Sequence, residues 1–243
     1  MYKRQLYEQG ISPELEGSPL AKGSCSSIHE SQSRLWENIV GRSRGFWEHF
    51  YPQLQGIFLP QLSRVSISEF HQAINKVVKS PIRTDADEVT YNLHVMIRFN
   101  LELAMLEGKL SVKDLPEAWN ESYKRDLGIV PANDSEGVMQ DVHWYGEMIG
   151  GMFQGYALGN LIAAQIYEAT VKFDPEVTVG IERGNFSILH QLLKQNIHQH
   201  GRKYTANELI NQVTGKSLSI DPFIRYIQDK YSNIYNLNFA IIA

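Results

Sequence analysis

Several things are scarce in this sequence, and each scarcity removes a class of protein. There is one cysteine, Cys25, which leaves no internal disulfide and suits a reducing compartment; a cytoplasmic protein is the expectation. No long uninterrupted apolar run occurs. The most apolar region, from Val142 to Tyr167, is broken by Glu147, Gln154, Asn160 and Gln165, and reads as a buried helix instead of a membrane span. After Met1 the chain continues Tyr2-Lys3-Arg4-Gln5, without the apolar core of a secretory leader. Charge of neither sign dominates: 23 Lys and Arg against 27 Asp and Glu give a net charge of -4, with no block of like charge. That leaves neither a nucleic-acid footprint nor a polybasic membrane patch. Alternating apolar and polar residues never run far enough to read as a strand.

Helix signals are plentiful. The 243 residues are 43% hydrophobic, enough for one sizeable core, so a single mainly α domain over residues 1–243 is expected. Leu6-Tyr7-Glu8-Gln9-Gly10 reads as a helix end stopped by glycine. A helix starting at Met1 is short of the roughly dozen residues that make a lone helix marginally stable, a hint of preceding chain. Residues 11–27 are Ser-, Gly- and Pro-rich loop. A helix carrying Leu35, Trp36, Ile39, Val40, Phe46, Trp47 and Phe50 follows, and Pro52 and Pro60 break the next stretch. Ser66…Glu69, Thr84…Asp87 and Thr205…Glu208 are capping-box patterns. The second predicts a helix running to Gly108, with Val89, Leu93, Met96, Phe99, Leu103 and Leu106 at helical spacing. Further helices are predicted over 111–127, stopped by Gly128, from about Trp144 to Phe173, over 185–200, and from Asp221-Pro222.

Three blocks carry candidate chemistry. In His29-Glu30-Ser31-Gln32-Ser33-Arg34-Leu35-Trp36-Glu37-Asn38, Glu30 offers carboxylate oxygen to a zinc-like cation, or is simply a capping or solvated residue. In Ile82-Arg83-Thr84-Asp85-Ala86-Asp87-Glu88, Arg83 can grip a carboxylate in a bidentate manner, or pair with Asp85 or Asp87 at a helix start. In Met139-Gln140-Asp141-Val142-His143-Trp144, followed by Gly155-Tyr156-Ala157-Leu158-Gly159-Asn160, His143 and Tyr156 are possible donors to a developing oxyanion, or a buried hydrogen-bonded pair with His143 oriented by Asp141. Gly151, Gly155, Gly159 and Ala163 recur every four residues and share a helix face, which reads as close helix packing. Other patterns fail. Gly215-Lys216-Ser217 lacks the first glycine of a phosphate loop, where Ile210 stands. His198 and His200 diverge on a helix, and Cys25 beside His29 is no catalytic pair.

Together these blocks resemble the carboxypeptidase Taq family of zinc metallopeptidases, from Leu6 to about the C-terminus. The resemblance implies a helical cleft-forming fold, homodimers, and removal of single amino acids from peptide C-termini. By resemblance Glu30 is the third zinc ligand, Arg83 binds the substrate carboxylate, and His143 and Tyr156 line the active site. The family's other two ligands and its general base belong to an HExxH motif. Counted back along the pattern, its second histidine falls at Arg4 and its glutamate at Met1. Arginine donates only and cannot bind zinc. The expectation is therefore the C-terminal half of a metallocarboxypeptidase, inactive alone and not holding zinc or a similar divalent metal tightly. Two alternatives are a half-enzyme completed by a separate N-terminal chain, and a non-catalytic module that grips peptide carboxylates or oligomerises. Expected partners are peptide C-termini and a second copy of the chain, with neither nucleic acid nor membrane.

Overall fold

The computed structural model describes residues 2–146 and 152–238, with side chains at 5–144 and 152–238. All regular structure among the described residues is helical, as the caps and periodicities predict. The longer helices are α1 (Tyr2–Gln9), α2 (Ser26–Arg34), α3 (Arg44–Ile57), α4 (Ile67–Ile74), α5 (Tyr91–Leu106), α6 (Leu115–Asp126), α7 (Gly155–Phe173), α8 (Glu176–Glu182), α9 (Ser187–Asn196), α10 (Ala206–Thr214) and α11 (Asp221–Tyr235). No helix among the described residues is long and apolar enough to cross a membrane.

Local signals explain most boundaries. At α4, Ser66 Oγ accepts from the Glu69 N–H at 3.2 Å, and Glu69 returns an acceptor to the Ser66 N–H at 2.8 Å. Thr205 and Glu208 repeat the arrangement at α10. Each such cap satisfies donors that the first helical turn leaves orphaned, and is worth about 1 kcal/mol. Gly128, at φ +70°, follows α6 in the left-handed conformation that only glycine adopts cheaply. Gly10 ends α1 for a different reason: a Cβ there would lie 2.6 Å from His198 Cβ, so the position is held by close approach.

Other boundaries depart from the sequence reading. Pro52 lies inside α3, which gives up one backbone hydrogen bond and continues. The stretch after α2 widens to a π-helix over Leu35–Val40, where the Gly41 N–H reaches back five residues to the Trp36 carbonyl at 2.9 Å. Residues 83–85 form a single 3₁₀ turn, and α5 begins only at Tyr91. Asp87 does the capping: its Oδ1 accepts from the Val89 and Thr90 N–H groups and its Oδ2 from the Thr90 hydroxyl and the Val78 N–H. The predicted helix over 144–173 is His143–Gly146 and α7, with turn at 152–154; residues 147–151, which include Glu147, Gly150 and Gly151, lie outside the described residues. The helix predicted over 185–200 stops at Asn196 and gives way to a 3₁₀ turn over His198–His200.

The chain divides into two compact units, residues 1–74 with 158–243, and residues 75–157. The first unit packs Ile28 and Leu35 against Ile162 and Ile166 of α7, Leu189 and Leu193 of α9, and Leu209 and Ile210 of α10. The second packs Ile97 and Leu101 of α5 against Leu115, Trp119 and Tyr123 of α6. Each fully buried aliphatic side chain contributes about 1.5–3 kcal/mol. The buried face of α5 overturns a simple reading of its apolar stripe. Met96, Leu103 and Leu106 are exposed, whereas His94, Arg98 and Glu102, one turn apart, are buried. The helix turns a polar face inward because partners for that polarity await it there.

Candidate functional site

Glu30 lies on the last turns of α2 and is 6% exposed. A buried carboxylate needs a partner, and Arg34, one turn later, donates its Nε–H at 2.7 Å. Gly159 of α7 backs the same side chain: a Cβ there would lie 2.7 Å from both Cβ and Cγ of Glu30. Gly159, one member of the four-residue glycine pattern, is thus packed closely against this carboxylate. His29, the adjacent residue, points elsewhere, with its Nε2 2.9 Å from Glu8 Oε1 and its ring 4.8 Å from that of Tyr7.

In the second unit Arg83 stands on the 3₁₀ turn before α5. Gln140 fixes its backbone: Gln140 Oε1 accepts the Arg83 N–H at 2.8 Å, while Nε2 donates to the Pro81 and Glu136 carbonyls. The Arg83 guanidinium donates to the Tyr91 hydroxyl at 3.0 Å and lies over the rings of Phe153 and Tyr156, 5.1 and 5.2 Å from their centroids. It makes no ion pair among the described residues, and neither Asp85 nor Asp87 takes it. Half-buried cations without a counter-ion are uncommon outside sites that receive one. A planar fork on aromatic faces matches a carboxylate.

Beside Arg83 stands a hydrogen-bonded chain. His143 Nε2 is 3.0 Å from the Tyr156 hydroxyl, and its Nδ1 is 2.6 Å from Asp141 Oδ1. Asp141 Oδ1 also accepts the His143 backbone N–H at 3.1 Å, which starts the short helix His143–Gly146. Asp141 Oδ2 accepts from Arg98 Nε at 2.8 Å, and Arg98 Nη1 donates to Glu102 at 2.8 Å. Burial alone would raise the Asp141 carboxyl; the two hydrogen bonds from His143 and the Arg98 charge outweigh it and hold it below its ordinary value. Arg98 is 2% exposed and lies over the faces of Trp144 and Phe153.

The structure therefore brings Arg83, His143 and Tyr156 into one cluster and places Glu30 in the other unit. Sequence reasoning missed Arg98, Glu102, Tyr91, Phe153, Gln140, Arg34 and Gly159 as supporting residues. The legible signal was the Arg98–Glu102 pair, four residues apart in the middle of a buried helix.

Glu30 has the chemistry of a metal ligand, an oxygen-donating carboxylate held in place, but a catalytic zinc takes three protein ligands. Among the described residues no group of three or more His, Cys, Asp or Glu is placed to hold a metal ion. Met1 and the Arg4 side chain, where the motif would fall, lie outside the described residues. The described residues do not by themselves fit a zinc ion.

Comparison with known proteins matches the chain to a family. The family model for the carboxypeptidase Taq (M32) metallopeptidases matches residues 4–231. The chain is 46% identical over 231 residues to thermostable carboxypeptidase 1 of Thermus thermophilus, covering 95% of this chain and 45% of that one. It is 41% identical over 232 residues to carboxypeptidase 1 of Bacillus subtilis, covering 96% and 46%. Among solved structures, the M32 carboxypeptidase of Deinococcus radiodurans R1 superposes with a TM-score of 0.94 at 46% identity, over 97% of this chain and 47% of that one. Metallocarboxypeptidase 1 of Trypanosoma cruzi superposes at 0.89 with 34% identity, over 94% and 46%. The chain thus spans about half the length of these relatives, and corresponds to their C-terminal half. The helical fold is shared with these solved M32 structures, and the chain belongs to the carboxypeptidase Taq (M32) metallopeptidase family.

Proposed function

We propose that this chain carries the substrate-gripping part, and one metal ligand, of a zinc-dependent carboxypeptidase site. Arg83 binds the free carboxylate at the C-terminus of a peptide, His143 and Tyr156 sit beside it, and Glu30 supplies one ligand to the metal. Two further ligands and the general base must come from outside the described residues, because a single carboxylate does not hold zinc tightly. The observation that carries the reading is the Arg83 guanidinium, half-buried on aromatic faces with no carboxylate of the described residues paired to it. That same observation supports a second reading, a module that binds peptide carboxylates without cleaving them, since Arg83 needs no metal to do so.

The 243-residue chain is expected to purify with far less than one zinc per chain and to release no amino acid from an N-blocked dipeptide. Near-stoichiometric zinc with turnover would contradict this and would mean that other residues complete the metal site. A separately supplied N-terminal half of a relative that restores zinc and turnover would establish the half-enzyme arrangement. Self-association is also proposed, supported by Met96, Leu103 and Leu106, which lie exposed along one face of α5. Light scattering at micromolar concentration is expected to give a dimer, and a monomer would count against it.

A further inference from the structure

We propose that Arg98 and Asp141 are positioning residues that fix His143 as the imidazole protonated at Nδ1, and thereby make Tyr156 the hydrogen-bond donor to His143 Nε2. The functional consequence rests on the reading of Arg83 given above; the protonation pattern does not.

The steps follow from donor and acceptor chemistry. Arg98 stays charged and only donates. Buried among Glu102, Asp141, Trp144 and Phe153, it compensates two carboxylates at once through Nη1 and Nε. Asp141 is therefore an anion, and an anionic oxygen only accepts. Its Oδ1 stands 2.6 Å from His143 Nδ1, a distance at which two bare lone pairs would repel, so Nδ1 carries a proton. A neutral imidazole has one N–H. With that proton at Nδ1, Nε2 is an acceptor, and the Tyr156 hydroxyl at 3.0 Å donates to it.

This bears on the two readings that the sequence left open, donation by both residues to an oxyanion or a buried pair with His143 oriented by Asp141. In the proposed arrangement the imidazole, protonated at Nδ1 alone, has no proton to offer on its Tyr156 side. It orients Tyr156 instead, and the Tyr156 ring is one of the faces over which the Arg83 guanidinium lies. A line of contacts thus runs from the buried Arg98 through Asp141, His143 and Tyr156 to Arg83. Arg98 and Asp141 touch no ligand in this scheme; they act by setting which way one proton points.

The test is ring-nitrogen NMR of the full chain at neutral pH, which separates protonated from bare imidazole nitrogens. The wild type is expected to show His143 protonated at Nδ1 and bare at Nε2. In Asp141→Asn the anion that holds the Nδ1 proton is gone, and the Nδ1-protonated form is expected to lose population to the Nε2-protonated form. That variant is expected to bind an N-blocked dipeptide with a free carboxylate several-fold more weakly. Tyr156→Phe leaves the Asp141 end untouched and covers the case in which Asp141→Asn fails to fold. There Nδ1 stays protonated and the Nε2 signal moves to that of a nitrogen without a donor. A wild-type His143 protonated at Nε2, an unchanged proton position in folded Asp141→Asn, or an unmoved Nε2 signal in Tyr156→Phe would each overturn the proposal. A dipeptide that does not bind the wild type at all would overturn the Arg83 reading, and the NMR pattern would still decide this one.

Discussion

The two units bury charge and polarity to different ends. In the first, several buried polar groups pair with one another. Glu30 meets Arg34, and Gln32 accepts from His198 at 2.9 Å while donating to Ser31. Tyr7 takes the Ser24 N–H and donates to the Gly201 carbonyl. These bonds tie α1 and the turn at His198–His200 to α2, the helix that carries Glu30, and to the residues just before it. In the second unit the buried chain Glu102–Arg98–Asp141–His143 is equally closed at its inner end, but it leads through Tyr156 to Arg83, a cation with no anion of its own among the described residues. In the first unit the polar groups named here hold the helix that carries Glu30; in the second a positive charge is left half-covered, and that is the place proposed above for a ligand.

The largest effect is expected at Arg98. Arg98→Met leaves Glu102 and Asp141 buried without their shared cation and is expected to lose about 3–5 kcal/mol of stability by urea unfolding. A loss under about 1 kcal/mol would mean that water compensates these carboxylates.

Acid should act on both units at once, through one buried neutral histidine in each. Burial pushes His198 down to about 3 and His94 down to about 4, from 6.5. Both folded values lie below the unfolded one. The stability they contribute is complete above pH 6.5 and declines as pH falls towards those folded values, by about 2 kcal/mol per histidine at about pH 5. His198→Gln and His94→Gln are each expected to flatten the pH dependence of the unfolding midpoint between about pH 6.5 and 5. An unchanged slope in both would mean that these rings bind protons in the folded state.

Gly159→Ala probes the scaffold at its closest approach. A Cβ at 2.7 Å from Glu30 forces one of the two helices to shift, at a cost of about 1–3 kcal/mol. A thermal melt reads it, and a neutral effect would place slack between α2 and α7. The smallest effect is expected from Thr205→Ala, which removes the α10 cap for about 1 kcal/mol without touching either polar network.

What was legible in the sequence was local. Ser66 with Glu69 and Thr205 with Glu208 find each other across three residues, so their pattern predicts their contact. Gly128 needs only its own backbone angle. The inner face of α5 was not legible, because its polarity is explained by Asp141, 43 residues away from Arg98 in the chain. Met96, Leu103 and Leu106 therefore looked like the buried stripe and are the exposed one. At Thr84-Asp85-Ala86-Asp87 the pattern named the right segment but the wrong cap, since Asp87 takes four donors itself and delays α5 to Tyr91. For the site, Glu30, Arg83, His143 and Tyr156 came from blocks similar to a known family. Gln140 and Asp141 stood in those blocks in plain view, yet what each holds is a matter of three-dimensional distance. Gly159 showed its helix face but not that the face meets Glu30.

On the function proposed above, Arg83 waits for a carboxylate. The most direct test is to titrate the chain with an N-blocked dipeptide bearing a free C-terminal carboxylate, and with the same dipeptide amidated, by NMR or calorimetry. Binding of the free acid, little binding of the amide, and loss of the difference in Arg83→Met is the expected result. Equal binding of acid and amide, or a preference for the acid that survives Arg83→Met, would contradict the account.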